Sequence, residues 1–206
     1  MNGIDSDNGG RCLTAVIMAS GHGKRFGANK LLENFSGKPL AEKIFEVMPA
    51  EYFRKTVVVS IYDEILKLAE KYGFETVKND DRTDDTAQTI KLGCENVEAG
   101  SDGIMFFAAD QPLLRNSTIA ELINTFTENK SKIVLPVCGG KRGNPVIFPS
   151  SMIGELSSLE KNGRGRDVIV RHADKVLEVA FDSPEDFFDI DYREDMVKAE
   201  KILNTR

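Results

Sequence analysis

"AVIMASGHGKRFGANKLL", residues 15–32, decides the reading of the fold. Six mostly apolar residues run into a loop that sets Gly21, Gly23 and Gly27 beside Lys24, Arg25 and Lys30, and apolar residues then resume. A short apolar run ending at a glycine loop reads as a buried strand delivering that loop to a ligand. Glycines let backbone amides approach a ligand closely, and the cations point to an anionic one.

Working outward, the hydrophobic period alternates between strand and helix. Residues 13–19 read as a buried strand. "KPLAEKIFEVM" follows as a helix, with Pro39 in its first turn and Leu40, Ile44, Val47 and Met48 on one face. "TVVVSI" (56–61) is a β-branched strand, and Ile65, Leu68, Ala69 and Tyr72 mark a second amphipathic helix. "FETVKN" is a third strand. Ala87, Ile90, Cys94 and Val97 then recur at helical spacing, and "GIMFFAA" (103–109) is a strand apolar throughout. "STIAELINTF" places Thr118 and Glu121 at the spacing of a capping box, with Ile119, Leu122, Ile123 and Phe126 on one face. "KIVLPV" is a further strand. Beyond "GGKRGNPVIF" the pattern predicts two short helices, a strand at 176–181 and a last helix from about residue 192. Strands apolar on both faces, alternating with helices, predict an α/β domain with a mainly parallel sheet. Residues 1–12 are rich in Gly, Asn and Asp and are expected to be a disordered lead-in, leaving 13–206 as a single domain.

Composition narrows the function. The 206 residues are 41% hydrophobic and 29% charged, ordinary for a globular protein, and carry a net charge of −6. That balance argues against a nucleic-acid partner held by a broad basic face, and it makes the cations of the glycine loop a local feature. Cys12, Cys94 and Cys138 are far apart, and the histidines are His22 and His172, so neither a zinc site nor a disulfide framework is legible. No apolar run approaches a membrane span and no signal peptide is evident ahead of the first strand, so a cytoplasmic location is expected.

In a parallel sheet, ligands sit at the carboxyl ends of the strands. The glycine loop leaves one such end, and Asp110-Gln111-Pro112 leaves another, so both are expected to face one crevice. Amides near Gly21 and Gly23, with Arg25 and Lys30, suit a polyphosphate; a plain tight turn is the other reading of the loop. A carboxylate such as Asp110, aimed at a polyphosphate, would repel it unless a divalent cation lay between them, and Mg²⁺ takes one or two carboxylates with phosphate oxygens and water. Asp110 capping the following turn is the alternative. "GHGKRFGANK" does not supply the GxxxxGK[ST] of a Walker A loop. The glycines read GxGxxxG rather than GxGxxG, and the acid near the end of the second strand, Asp63, is too distant for a dinucleotide fingerprint.

"MASGHGKRFGANKLL" resembles the LAAGxSxRMGxxKLL signature of the nucleotidyltransferases that act on molybdopterin. "AADQPLL", "GNPVIF" and "DIDYREDM" resemble three later motifs of that family, in the same order, so that the likeness spans residues 13 to about 204. The opening loop and the DQP and DID elements look closer to the cytidylyltransferase branch than to the guanylyltransferase branch. The resemblance implies a three-layer, Rossmann-like nucleotidyltransferase domain. It also implies a reaction in which CTP and molybdopterin, or its molybdenum-loaded form, give the cytosine dinucleotide and pyrophosphate. The attacking group is then the acceptor's own phosphate, and no nucleophilic triad is required or evident. Positioning, metal and cations would carry the catalysis.

The roles implied by position follow. Ala19, Ser20, Gly21, Gly23 and Lys24, with Thr89, would hold the nucleotide. Arg25 would stabilise charge on the transferring phosphate and the departing pyrophosphate, and Lys30 would bind substrate phosphates. Asp110 would hold Mg²⁺, and Asp191 is a candidate second carboxylate, although Asp191 and Glu194 also have the spacing of an N-cap and third residue of the last helix. Gln111, Pro112, Gly143, Asn144 and Pro145 would shape the acceptor pocket, with Lys141 and Arg142 near its phosphate; a hairpin turn is the other reading of that segment. Arg164 and Arg166 could contact acceptor phosphate or sit on a solvated face. A client molybdenum hydroxylase is an expected recipient of the product. The sequence departs from the family at Ser20, Gly23 and Phe26, at Asp85, Gln88 and Thr89 near the expected base, and at Tyr192 and Arg193. GTP or a sugar-phosphate acceptor, and a nucleotide-binding accessory protein without chemistry, remain the rival readings.

Overall fold

The computed structural model describes residues 12–206 except 24, 28, 82 and 84. The chain runs β1 (Leu13–Met18), a glycine loop, a ribbon of β2 (Asn34–Phe35) and β3 (Lys38–Pro39), then α1 (Leu40–Glu46) and β4 (Phe53–Ser60). It continues through α2 (Asp63–Lys71), β5 (Glu75–Lys78), α3 (Thr86–Glu95), β6 (Gly103–Ala108) and α4 (Asn116–Glu128). The rest is β7 (Ile133–Cys138), β8 (Lys141–Arg142), β9 (Val146–Pro149), α5 (Ile153–Ser157), α6 (Gly165–Arg171), β10 (Val176–Phe181) and α7 (Arg193–Thr205).

The main sheet has the order β10-β7-β9-β6-β1-β4-β5, with β8 paired to β7. β1 pairs in parallel with both β4 and β6, which places it at the centre with its carboxyl end open above. Alternation along β1 divides the core. Ala15 and Ile17 pack with Leu40 and Ile44 of α1, Ile65 of α2, Leu122 of α4 and Ala199 of α7. Val16 packs on the opposite face with Ile90 and Cys94 of α3, Leu156 of α5 and Val168 of α6. This is the expected three-layer arrangement of a Rossmann-like nucleotidyltransferase fold, and Cys94 is core.

Two glycines mark where the layers close most tightly. A Cβ on Gly93 would stand 2.7 Å from Val16 Cγ1 and 3.3 Å from Phe106 Cε1, so only glycine lets α3 lie this close to the sheet. A Cβ on Gly103 would meet Phe148 O at 2.4 Å.

Five details differ from the sequence reading. Pro39, expected in the first turn of α1, instead pairs with Asn34 in β3 and stands as the helix N-cap. β9 enters antiparallel between β6 and β7, because the chain reverses through 139–145, where Asn144–Pro145 is cis. The helix after β6 begins at Asn116 with Arg115 as N-cap, so Thr118 is not a cap; it is buried and its hydroxyl donates to Asp186. The last helix is capped one residue later than expected: Tyr192 is the N-cap and Asp195 its third residue, accepting from the Tyr192 amide at 2.9 Å. Cys12, assigned to the lead-in, already belongs to the fold, since its amide donates to Tyr52 O and its carbonyl accepts from the Asp102 amide. The remainder of the expected lead-in, and Lys24, lie outside the described residues.

Candidate active site

The glycine loop leaves β1 and doubles back on itself. Gly23 and Gly27 adopt positive φ (58° and 80°), and the amides of Phe26 and Gly27 both donate to Gly23 O, at 2.9 and 3.0 Å. Phe26 is buried beneath the turn and Arg193 stacks over its ring at 4.8 Å, which ties the loop to the start of α7. The loop closes on a 3-10 turn, Lys30–Leu32, whose first residue is held in place by Asn29 accepting from the Leu31 amide.

That turn drives Lys30 inward. Its residue is 8% exposed, and its Nζ donates to Asp110 Oδ2 at 2.6 Å and to Ile190 O at 2.5 Å, with Asp191 Oδ1 at 3.7 Å. Arg25 Nη1 donates to Asp191 Oδ2 at 2.9 Å from a far more solvated position. Three distant pieces of sequence therefore converge: the glycine loop, the turn after β6 and the segment before α7. Asp110 and Ile190 are also joined directly, the Ile190 amide donating to Asp110 O at 3.0 Å. With the cap at Tyr192, Asp191 is free of the capping role and presents its carboxylate to the cations.

Two cavities adjoin here. The first, about 480 Å³, is lined by Ser20, Gly21, His22, Gly23, Arg25, Lys30, Asp110 and Asp191 at one end and by Asn79, Asp81, Asp85, Thr86 and Thr89 at the other. The second, about 980 Å³, shares Met18 and Thr86 with it and is lined by Gln111, Gly143, Asn144, Asp189, Lys141, Arg142, Arg164 and Arg166 around an apolar floor that includes Leu135, Phe148 and Ile169. Arg164 and Arg166, the ambiguous pair, thus rim this cavity and enter no ion pair among the described residues. Ala19 lies behind the loop with its amide and carbonyl engaged by Val59 O and the Ser60 hydroxyl. Pro112 and Pro145 are buried behind the second cavity rather than on its surface.

Sequence reasoning passed over two residues. Asn79, 2% exposed, donates to the hydroxyls of Ser20 and Thr89 and accepts from the Asp81 amide, so it braces the glycine loop against α3. Asp189 lines the second cavity as a solvent-exposed residue, and its carboxyl is pushed up to about 6, chiefly by partial desolvation against the cavity wall and then by the charge of Asp110, against a hydrogen bond from Gln111. The D-x-D spacing within "DIDYREDM" was the available signal for Asp189. Among the described residues, none offers a hydrogen bond to the buried Oε1 of Gln111 beside this cavity.

A phosphate cradle with two cations, facing two carboxylates, beside a roomier cavity with a basic rim can hold a nucleoside polyphosphate against a second, anionic substrate. The sequence model of the MobA-like NTP transferase domain matches residues 15–176. The chain belongs to that family. Among curated relatives of this MobA-like domain, it is 28% identical over 116 residues to the probable molybdenum cofactor guanylyltransferase of Aquifex aeolicus, covering 56% of this chain and 54% of that one. It is 25% identical over 114 residues to the 3-deoxy-manno-octulosonate cytidylyltransferase of Francisella philomiragia, covering 53% of this chain and 44% of the relative. The chain thus spans about half the length of these relatives. The match to the probable molybdenum cofactor guanylyltransferase of Thermococcus kodakarensis is 25% over 199 residues and covers 89% of this chain and 92% of that protein. A solved nucleotidyl transferase from Methanothermobacter thermautotroptrophicus superposes with a TM-score of 0.79 at 17% identity, covering 96% and 100% of the two chains, which is a likeness of fold. No described helix is long and apolar enough to cross a membrane.

Proposed function

We propose that this MobA-like domain transfers a nucleotidyl group from CTP to the phosphate of molybdopterin or its molybdenum-loaded form, with Mg²⁺ as cofactor. An acceptor phosphate oxygen forms a bond to the nucleotide's α-phosphorus, the bond from that phosphorus to the β-bridging oxygen breaks, and pyrophosphate leaves with the electron pair. The reading is carried by one observation: Lys30, Arg25, Asp110 and Asp191 converge at one end of the first cavity, which adjoins the second through Met18 and Thr86. A donor set of two carboxylates fits Mg²⁺, which completes its shell with phosphate oxygens and water, and among the described residues no group of three or more His, Cys, Asp or Glu offers a cage of its own. Asp110 and Asp191 would hold the cation, and when bound it would neutralise phosphate charge as a Lewis acid.

The chain's own groups do the rest. Amides of the glycine loop take the phosphates, and the far end of the first cavity, with Asn79 and Thr89, takes the base. Lys30 leaves its carboxylate contacts for the substrates' phosphates, and Arg25 meets the charge that develops on the departing pyrophosphate. The second cavity receives the acceptor, whose phosphate the rim cations Arg164, Arg166 and Lys141 would hold. No base is needed, because the attacking oxygen is already anionic. CTP is preferred because the DQP and DID elements resemble the cytidylyltransferase branch, and the product would pass to a client molybdenum hydroxylase. GTP is the second reading, supported by the name of the relative matched along nearly its whole length.

Asp110→Asn separates this enzyme from a nucleotide-binding accessory protein. The variant is expected to lose turnover by about a thousandfold while binding nucleotide in EDTA within a few-fold of wild type. Unchanged turnover would sink the metal assignment.

A further inference from the structure

Asp186 has no solvent exposure, yet it carries a carboxylate. Its Oδ2 accepts from the Thr118 hydroxyl at 2.5 Å and from Arg115 Nε at 2.9 Å, and its Oδ1 accepts from Arg206 Nη2 at 2.9 Å. Arg206 uses its other terminal nitrogen to donate to Leu113 O at 2.8 Å. Ions taken out of water in this way return little net stability, and an apolar cluster would hold the same helices together as well. What the network provides is placement.

It joins the segment that follows Asp110 to the segment that precedes Asp191. These two segments meet a second time where the Ile190 amide donates to Asp110 O. Residues 186–190 are therefore pinned to the 110–118 segment at both ends, by a buried ion cluster at one and a backbone hydrogen bond at the other. Asp110 lies at the second pin and Asp191 one residue beyond it. None of Arg115, Thr118, Asp186 and Arg206 lines either cavity, so the cluster acts only through what it holds.

We propose that Asp186, through Arg115 and Arg206, is a positioning residue that fixes Asp110 and Asp191 relative to one another for a divalent cation. This rests on the metal reading given under Proposed function. Partners that orient metal-ligating groups from behind contribute about 10- to 100-fold to affinity when removed. Deleting Asp186 itself strands two guanidinium groups and endangers folding, so the test uses Arg115→Gln and Arg206→Gln, whose side chains are 47% and 28% exposed.

The probe is Mn²⁺ alone, titrated into the nucleotide-free full chain and followed by the loss of the free-ion EPR signal. Asp110→Asn serves as the reference for the site. Ile123→Val, a core change in α4 at a residue that lines neither cavity, serves as a control for general destabilisation, with the melting temperature of each variant measured alongside. Both arginine variants are expected to bind Mn²⁺ about tenfold more weakly, with Ile123→Val unchanged. Wild-type affinity in both arginine variants, or equal weakening in the control, overturns the positioning role while leaving the metal site standing. Wild-type affinity in Asp110→Asn overturns the metal site and the positioning role together.

Discussion

Replacing Asp189 by asparagine should change stability in a way that depends on pH and has a definite sign. The residue is exposed on the wall of the second cavity, where its carboxyl is partly desolvated and feels the charge of Asp110, and its pKa rises from 3.8 to about 6. Well below 3.8 the carboxyl is protonated in both the folded and unfolded chain and contributes nothing. As pH rises from there to about 6, the unfolded chain releases this proton while the folded chain retains it, so folding stability falls. Above that window the slope from this residue vanishes and the full cost remains. Asp189 is exposed to solvent at the cavity wall, so screening holds the cost to about 1 kcal/mol, well under the full value of the shift. Asp189→Asn keeps the shape and the polar contact with Gln111 but removes the charge. The variant should match wild type near pH 3 and exceed its stability by about 1 kcal/mol above pH 7. Urea denaturation of both proteins across that range, in EDTA, measures the difference directly and cancels the titration of every other carboxylate. A difference that does not vary with pH, or that favours wild type at high pH, refutes the account of Asp189 as a carboxyl partly desolvated beside a neighbouring negative charge.

Lys30→Met keeps the length of a side chain that reaches between Asp110 and Ile190 but removes the cation meant for the phosphates; steady-state kinetics should show kcat/KM down by about 100- to 1000-fold, and a loss under tenfold would remove Lys30 from the catalytic groups. Gly93→Ala forces a methyl group within 2.7 Å of Val16, and a denaturant titration should show a loss of about 2 kcal/mol. An unchanged midpoint would contradict the close seating of α3 on the sheet.

Much of this site could be read from the sequence because its signals are local. A glycine loop after an apolar strand, and an acid just past another, locate the carboxyl edge of a parallel sheet without knowledge of any long-range contact. The glycine loop and Asp110 could be placed in one crevice for that reason alone, whereas the ion pair of Lys30 with Asp110 appears only in the structure. What stayed hidden depends on packing. The state of Asp189 is set by partial desolvation at the cavity wall and by Asp110, neither of which its own neighbours in sequence reveal. Thr118 has the spacing of a cap, but Asp186, far along the chain, claims its hydroxyl. Asp191 and Glu194 fit a capping pattern displaced by one residue from the true one, Tyr192 and Asp195, and side-chain geometry rather than spacing decides between them. The antiparallel entry of β9 follows from a reversal at 139–145 that hydrophobic periodicity does not encode. Arg164 and Arg166 are solvated as their sequence suggests, and only the fold shows that the second cavity lies beside them.

The measurement closest to the central claim is pyrophosphate release by the folded full chain with Mg²⁺ and molybdopterin, offering CTP, GTP, ATP and UTP in turn. The account predicts release with CTP and none without acceptor. Release with GTP instead keeps the mechanism and reverses the choice of base. No release with any of the four, from protein that binds nucleotide and with acceptor known to be active, contradicts the proposed reaction.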